Sequence, residues 1–199
     1  MTGPTPEQID HYLDMFEQLD AADWCIGENL GWTVVRAHGR TLTAEDAIRL
    51  VGGDPDTVTT VRPVDVRYED DVVYVEQRGD AVMLLDYAAI CAEAPMMRRL
   101  AHNAAVHGVF WGINNWNTLF YALDGEVVTE LDTLRPDDRT GTDPDALNDH
   151  LGALIELDAR PDRGAMRDWP TAMATVAALT GLDLDADWFR RPQRCTTVR

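Results

Sequence analysis

The densest hydrophobic patterning lies between residues 106 and 134, where β-rich runs over 106–113, 116–123 and 126–134 are separated by Asn114-Asn115 and Asp124-Gly125. Those dipeptides tolerate the positive φ that tight hairpin turns need, so the segment predicts a three-stranded antiparallel meander. Upstream, Ile9, Tyr12, Leu13, Phe16 and Leu19 recur at helical spacing, with Asp10, Asp14 and Glu17 on the other side. An amphipathic helix is therefore expected behind the start signal Thr5-Pro6-x-Gln8. Trp24 and Cys25 lead into a strand over 32–37, ended by His38-Gly39. A second helix opens with the capping-box-like Thr43 to Asp46, carries Ala47, Ile48, Leu50 and Val51 as its stripe, and stops at Gly52-Gly53.

Periodicity then fades. Residues 54–68 hold two Pro and predict a loop with one edge strand, because Pro cannot donate to a ladder. Strands follow over 72–77 and 81–87, joined by Arg78-Gly79-Asp80, which is read as a turn rather than an adhesion motif. A helix over 94–103 turns Met96, Met97, Leu100 and Ala104 inward. Beyond the meander, 135–144 predicts a charged loop in which Asp143 caps and Pro144 starts a helix with Leu147, Leu151, Leu154 and Ile155 on one face. Residues 158–168 form a surface connector. Asp168-Trp169-Pro170 then opens a helix through Met173, Val176, Ala177 and Leu179 to Thr180-Gly181, and Asp185 caps a last turn holding Trp188 and Phe189. The whole predicts a single α+β domain over 1–189, a mostly antiparallel sheet of about six strands around the central meander, covered by helices, with a flexible Arg-rich tail at 190–199.

Charge is the outlying property. The formal net charge is −18 over 199 residues, and all 17 basic residues are Arg. Such an excess of carboxylate repels phosphate backbones, so nucleic acid is not expected as a partner; it favours encounter with a basic protein, or else simply maintains solubility or reflects the host's composition. No apolar run reaches the length of a membrane span and the N-terminus has no signal-peptide pattern, so a cytoplasmic protein is expected. Cys25, Cys91 and Cys195 are far apart and form no C-x-x-C pair; they predict reduced thiols, with Cys25 and Cys91 packed as small hydrophobes.

The run around Asp124-Gly125, the stretch Arg135-Pro-x-x-Arg139-x-Gly141-x-Asp143-Pro144 and the terminal Leu179-Thr180-Gly181-Leu182 resemble an uncharacterised family of small actinobacterial proteins known as a domain of unknown function. The resemblance covers about the last half of the chain well, and 32–53 and 72–86 more loosely. It implies a single α+β domain and transfers no activity, cofactor or catalytic residue. The absence of Lys fits such a source.

The chemistry-bearing strings are mostly missing. No two of His11, His38, His102, His107 and His150 stand at i, i+4, so no metal site is expected. Without Lys there is no Walker loop, and without Ser there is no serine nucleophile. No catalytic residue and no cofactor is assigned. Two clusters remain. Arg135 and Arg139 lie where a strand runs toward a helix start; they either pair with local Asp side chains and cap the sheet edge or, with His107 and Asp132, make a candidate ligand site for a small-ligand-binding protein or a hydrolase. Trp111 and Trp116, with Phe110, Phe120 and Tyr121, make an aromatic set of which one face is either core or a partner-binding surface. The preferred expectation is a non-catalytic acidic interaction protein, immunity-like or an accessory factor, that holds a basic protein.

Overall fold

The computed structural model describes residues 3–22, 28–66, 71–114, 116–160 and 167–198. Among the described residues six α-helices pack on a nine-stranded antiparallel sheet, half as large again as the six strands expected. In chain order the elements are α1 (Pro6–Asp20), β1 (Asn29–Ala37), α2 (Ala44–Val51), β2 (Thr59–Val61), β3 (Val72–Arg78), β4 (Ala81–Asp86), α3 (Ala94–Leu100), β5 (Ala104–Gly112), β6 (Asn117–Leu123), β7 (Glu126–Asp132), β8 (Arg135–Thr140), α4 (Gly152–Asp158), α5 (Asp168–Thr180), α6 (Ala186–Arg190) and β9 (Gln193–Thr197). The sheet runs β2-β9-β3-β4-β1-β5-β6-β7-β8.

Locally encoded features stand where the sequence puts them. Both capping boxes form, Thr5 with Gln8 and Thr43 with Asp46, each satisfying two otherwise orphaned N–H groups. Gly52 and Gly181 end α2 and α5 in the left-handed region, and the Asp185 carboxylate accepts from the Trp188 amide at 2.6 Å. β5, β6 and β7 are the meander, and Asp124 and Gly125 both take positive φ between the second and third strands. Asn115 of the first turn lies outside the described residues, as do Trp24 and Cys25.

Both faces of the sheet are covered. One side of the sheet packs with α1, α4, α5 and α6 around Trp32, Trp111, Tyr74, Met173 and Trp188; the other packs with α2 and α3 around Val35, Val75, Leu84, Phe110 and Phe120. Strands β1 and β4 are accordingly buried along most of their length rather than on alternate residues. Helix α5 is buried almost all round, and its Thr175 and Thr180 hydroxyls donate back to the carbonyls of Thr171 and Val176 at 2.8 and 2.7 Å.

Three expectations are corrected. Residues 135–140 are an edge strand, not a loop: Pro136 and the neighbouring charges are tolerated because one side of an edge strand needs no partner. Asp143 starts no helix. Its amide donates to the Val128 carbonyl at 2.9 Å and its own carbonyl accepts from the Thr129 hydroxyl at 2.7 Å, so the segment is tied to β7. Turns and a short 3-10 turn at Asn148–His150 follow, and the helix begins at Gly152, with Leu147, Leu151 and Leu154 buried but Ile155 38% exposed. Finally, the Arg-rich tail expected to be flexible supplies β9, inserted between β2 and β3, with Gln193 and Cys195 buried and Arg194 reaching Glu45 at 2.7 Å.

Candidate functional site

The face of β6, β7 and β8 on the α3 side is covered by that helix only over Phe120, Ala122 and Val127. Toward the far end of these strands it stays open. Two rungs cross it in register: Thr118 beside Asp132 beside Arg135, and Phe120 beside Glu130 beside Thr140. Trp116, arriving from the β5–β6 hairpin, forms a wall, and Asp138 closes the rim. With Thr118, Glu130, Asp132, Arg135 and Thr140 from the rungs they line a hollow of about 340 Å³.

Each group is held by identifiable contacts. Asp132 accepts the Leu134 amide at 2.9 Å and the Arg135 Nε at 3.0 Å, and the Arg135 guanidinium also meets Asp138 at 3.7 Å. The Trp116 ring lies tilted on Phe110 at 5.1 Å and is 38% exposed. Beside it at the hairpin tip, Ile113 is 74% exposed. Burial pushes the Glu130 carboxyl above the usual range, while the Thr118 hydroxyl and the more distant Arg98 pull it back. Three carboxylates against one guanidinium give the hollow a negative balance.

Of the residues singled out from the sequence, the structure therefore brings Asp132, Arg135 and Trp116 to one place. It does not bring the rest. His107 shares the opposite face with Val109 and Trp111, stacks flat on Tyr121 at 4.6 Å, and is pushed down to about 4 by burial, with Arg36 and His150 adding to the effect. Arg139 pairs in register with Leu131 on that same opposite face. Its guanidinium is spent on Asp137 at 3.5 Å, on Asp145 at 3.4 Å and on Asn148, so it clamps the turn before α4. Trp111 is core, with no exposure, stacked on Trp169 at 5.6 Å and tilted against Phe16 at 5.5 Å. Glu130 and Thr118 were not singled out. The signal for Glu130 was its place in Glu126-x-x-x-Glu130-x-Asp132, whose period of two sets Glu130 and Asp132 on one strand face.

Hollow, meander and β9 all fall within residues 71–198, which match a family model described as a family of unknown function (DUF6461). The chain belongs to that family. No curated protein and no solved structure matches it. The DUF6461 portion begins at β3, yet β1, from outside it, pairs with both β4 and β5 in the middle of the sheet. Among the described residues no cluster of three or more His, Cys, Asp or Glu is disposed to hold a metal ion, and no helix is long and apolar enough to cross a membrane.

Proposed function

We propose that this DUF6461 protein is a non-catalytic, acidic interaction protein of the cytoplasm, immunity-like or accessory in role, that holds a basic protein partner. The observation that carries the reading is the open end of the β6–β8 face, where a part-exposed Trp stands among carboxylates without a covering helix. An aromatic anchor surrounded by charge is the usual composition of a protein-binding patch, and the net charge of −18 favours encounter with a basic surface. The reading of a small-ligand protein or hydrolase near Arg135 and Arg139 draws less support, because the two guanidiniums lie on opposite faces of β8 and each is already ion-paired.

The test is capture of proteins from host lysate on the immobilised full chain, washed at about 0.1 M and about 1 M salt, where the screening length falls from roughly 10 to 3 Å. A stoichiometric basic protein released at high salt, and no longer captured by Asp138→Arg, is expected. A partner retained through the tenfold rise in salt and indifferent to Asp138→Arg would sink the reading.

A further inference from the structure

The hollow beside Trp116 holds a carboxylate, Glu130, that Arg98 favours electrostatically but that no guanidinium bridges among the described residues. Asp132 and Asp138 both engage Arg135, but the partly buried Glu130 forms no salt bridge among the described residues. Thr118, 3% exposed, brings to the same hollow a buried hydroxyl whose oxygen accepts no hydrogen bond among the described residues, next to Glu130. A partly desolvated carboxylate and a buried hydroxyl oxygen both gain from a donor delivered from outside, since an unmet buried acceptor is costly. The third wall is the Trp116 ring, pinned on its inner side by Phe110.

Resting on the interaction reading above, we propose that this hollow receives one arginine side chain of the basic partner, its guanidinium set between the Trp116 ring and the Glu130 carboxylate, with the Thr118 hydroxyl as a further acceptor. Guanidinium suits the site better than ammonium. It is planar and weakly hydrated, stacks on Trp, and carries several donors in one plane for a carboxylate and a hydroxyl at once. Arg135 on the rim does not oppose it, because Asp132 and Asp138 already neutralise that charge and leave an excess of carboxylate. About 340 Å³ admits a long side chain together with some water.

The experiment titrates the ¹⁵N-labelled full chain with the peptide N-acetyl-Gly-Arg-Gly-amide and with its Lys and citrulline counterparts, following the Trp116 indole N–H and the backbone amides of Thr118 and Glu130. Saturable shifts at these three signals are expected with the Arg peptide, weaker ones with Lys and none with citrulline. Glu130→Gln and Trp116→Ala should each weaken Arg-peptide binding by roughly tenfold, and Trp116→Phe should recover part of the loss. Unchanged urea midpoints for Glu130→Gln and Trp116→Phe separate the effect from misfolding. Shifts that are absent, or that survive both Glu130→Gln and Trp116→Ala, overturn the proposal. The two readings fail separately. Salt-sensitive capture of a basic protein that is undiminished by Glu130→Gln and Trp116→Ala refutes the arginine hollow and leaves the interaction reading standing. Arg-peptide binding at the hollow with no basic protein captured does the reverse.

Discussion

At the scale of single residues, environment overrides type. His107 has an ordinary sequence context, but under the helices its imidazole is pushed down to about 4 by burial, Arg36 and His150. In the unfolded chain it titrates near about 6.5. Between those values the unfolded chain takes up a proton that the fold refuses, so stability is complete above roughly pH 6.5 and is lost as pH falls toward 4. At about 1.4 kcal/mol per unit the loss is at most about 3.5 kcal/mol. Urea midpoints measured from pH 7 to 4 should fall less steeply in His107→Gln than in the parent; equal slopes would remove His107 as the cause. Gly108, one residue on, shows a different constraint: a Cβ there would lie 2.3 Å from the Phe120 ring, so the strand carries Gly where a side chain has no room. The two tryptophans show where residue-level reading stops. Alternation places Trp111 on a face, but only Trp169 and Phe16, distant in the chain, decide that this face is covered.

At the scale of elements, the capped helices, the hairpins and the edge strand β2 were legible, whereas β8, β9 and the start of α4 were not. A capping box or an Asp-Gly turn is complete within a few residues, so its sequence carries the whole signal. β8 and β9 lack strong apolar alternation, and each exists because a neighbouring strand offers backbone partners. For β9 those partners are β2 and β3, more than a hundred residues away. A chain ending at Pro192 would leave β2 with no strand to pair and expose one side of β3, while removing Gln193 and Cys195 from buried positions. It is expected to be destabilised by more than about 3 kcal/mol, or to aggregate through the exposed edge. Denaturation followed by tryptophan fluorescence checks this, and a midpoint close to the parent's would show β9 to be dispensable.

At the scale of the whole molecule, charge outweighs every other surface property. Many of the described ion pairs are surface contacts between Arg and a nearby Asp or Glu, each of small value, and they leave a large unbalanced negative charge. Self-repulsion of that size destabilises the compact state at low ionic strength. The thermal midpoint should therefore rise as NaCl is increased from about 10 mM to about 1 M, over which the screening length shrinks from roughly 30 to 3 Å. A flat or falling midpoint would mean that the local pairs, also screened by salt, outweigh the repulsion. The same field is what a basic partner would meet, so the charge that weakens the isolated fold is the charge that favours its complex.

The meander, the capped starts of α1, α2 and α6, the glycine stops of α2 and α5, the acidic balance, and the exclusion of a serine nucleophile and a Walker lysine follow from residue type and short-range pattern. These depend on residue type or on contacts within a few positions. Long-range packing was needed to set β1 between β4 and β5, to bring Trp116 and not Trp111 to the surface, and to place Asp132, Arg135 and Glu130 on a face from which Arg139 is turned away. The reason is register. Strand pairing is set between distant segments, and side-chain parity changes at irregularities such as those at Tyr121/Ala122 and Leu131/Asp132, where one slipped residue reverses which face the following side chains join.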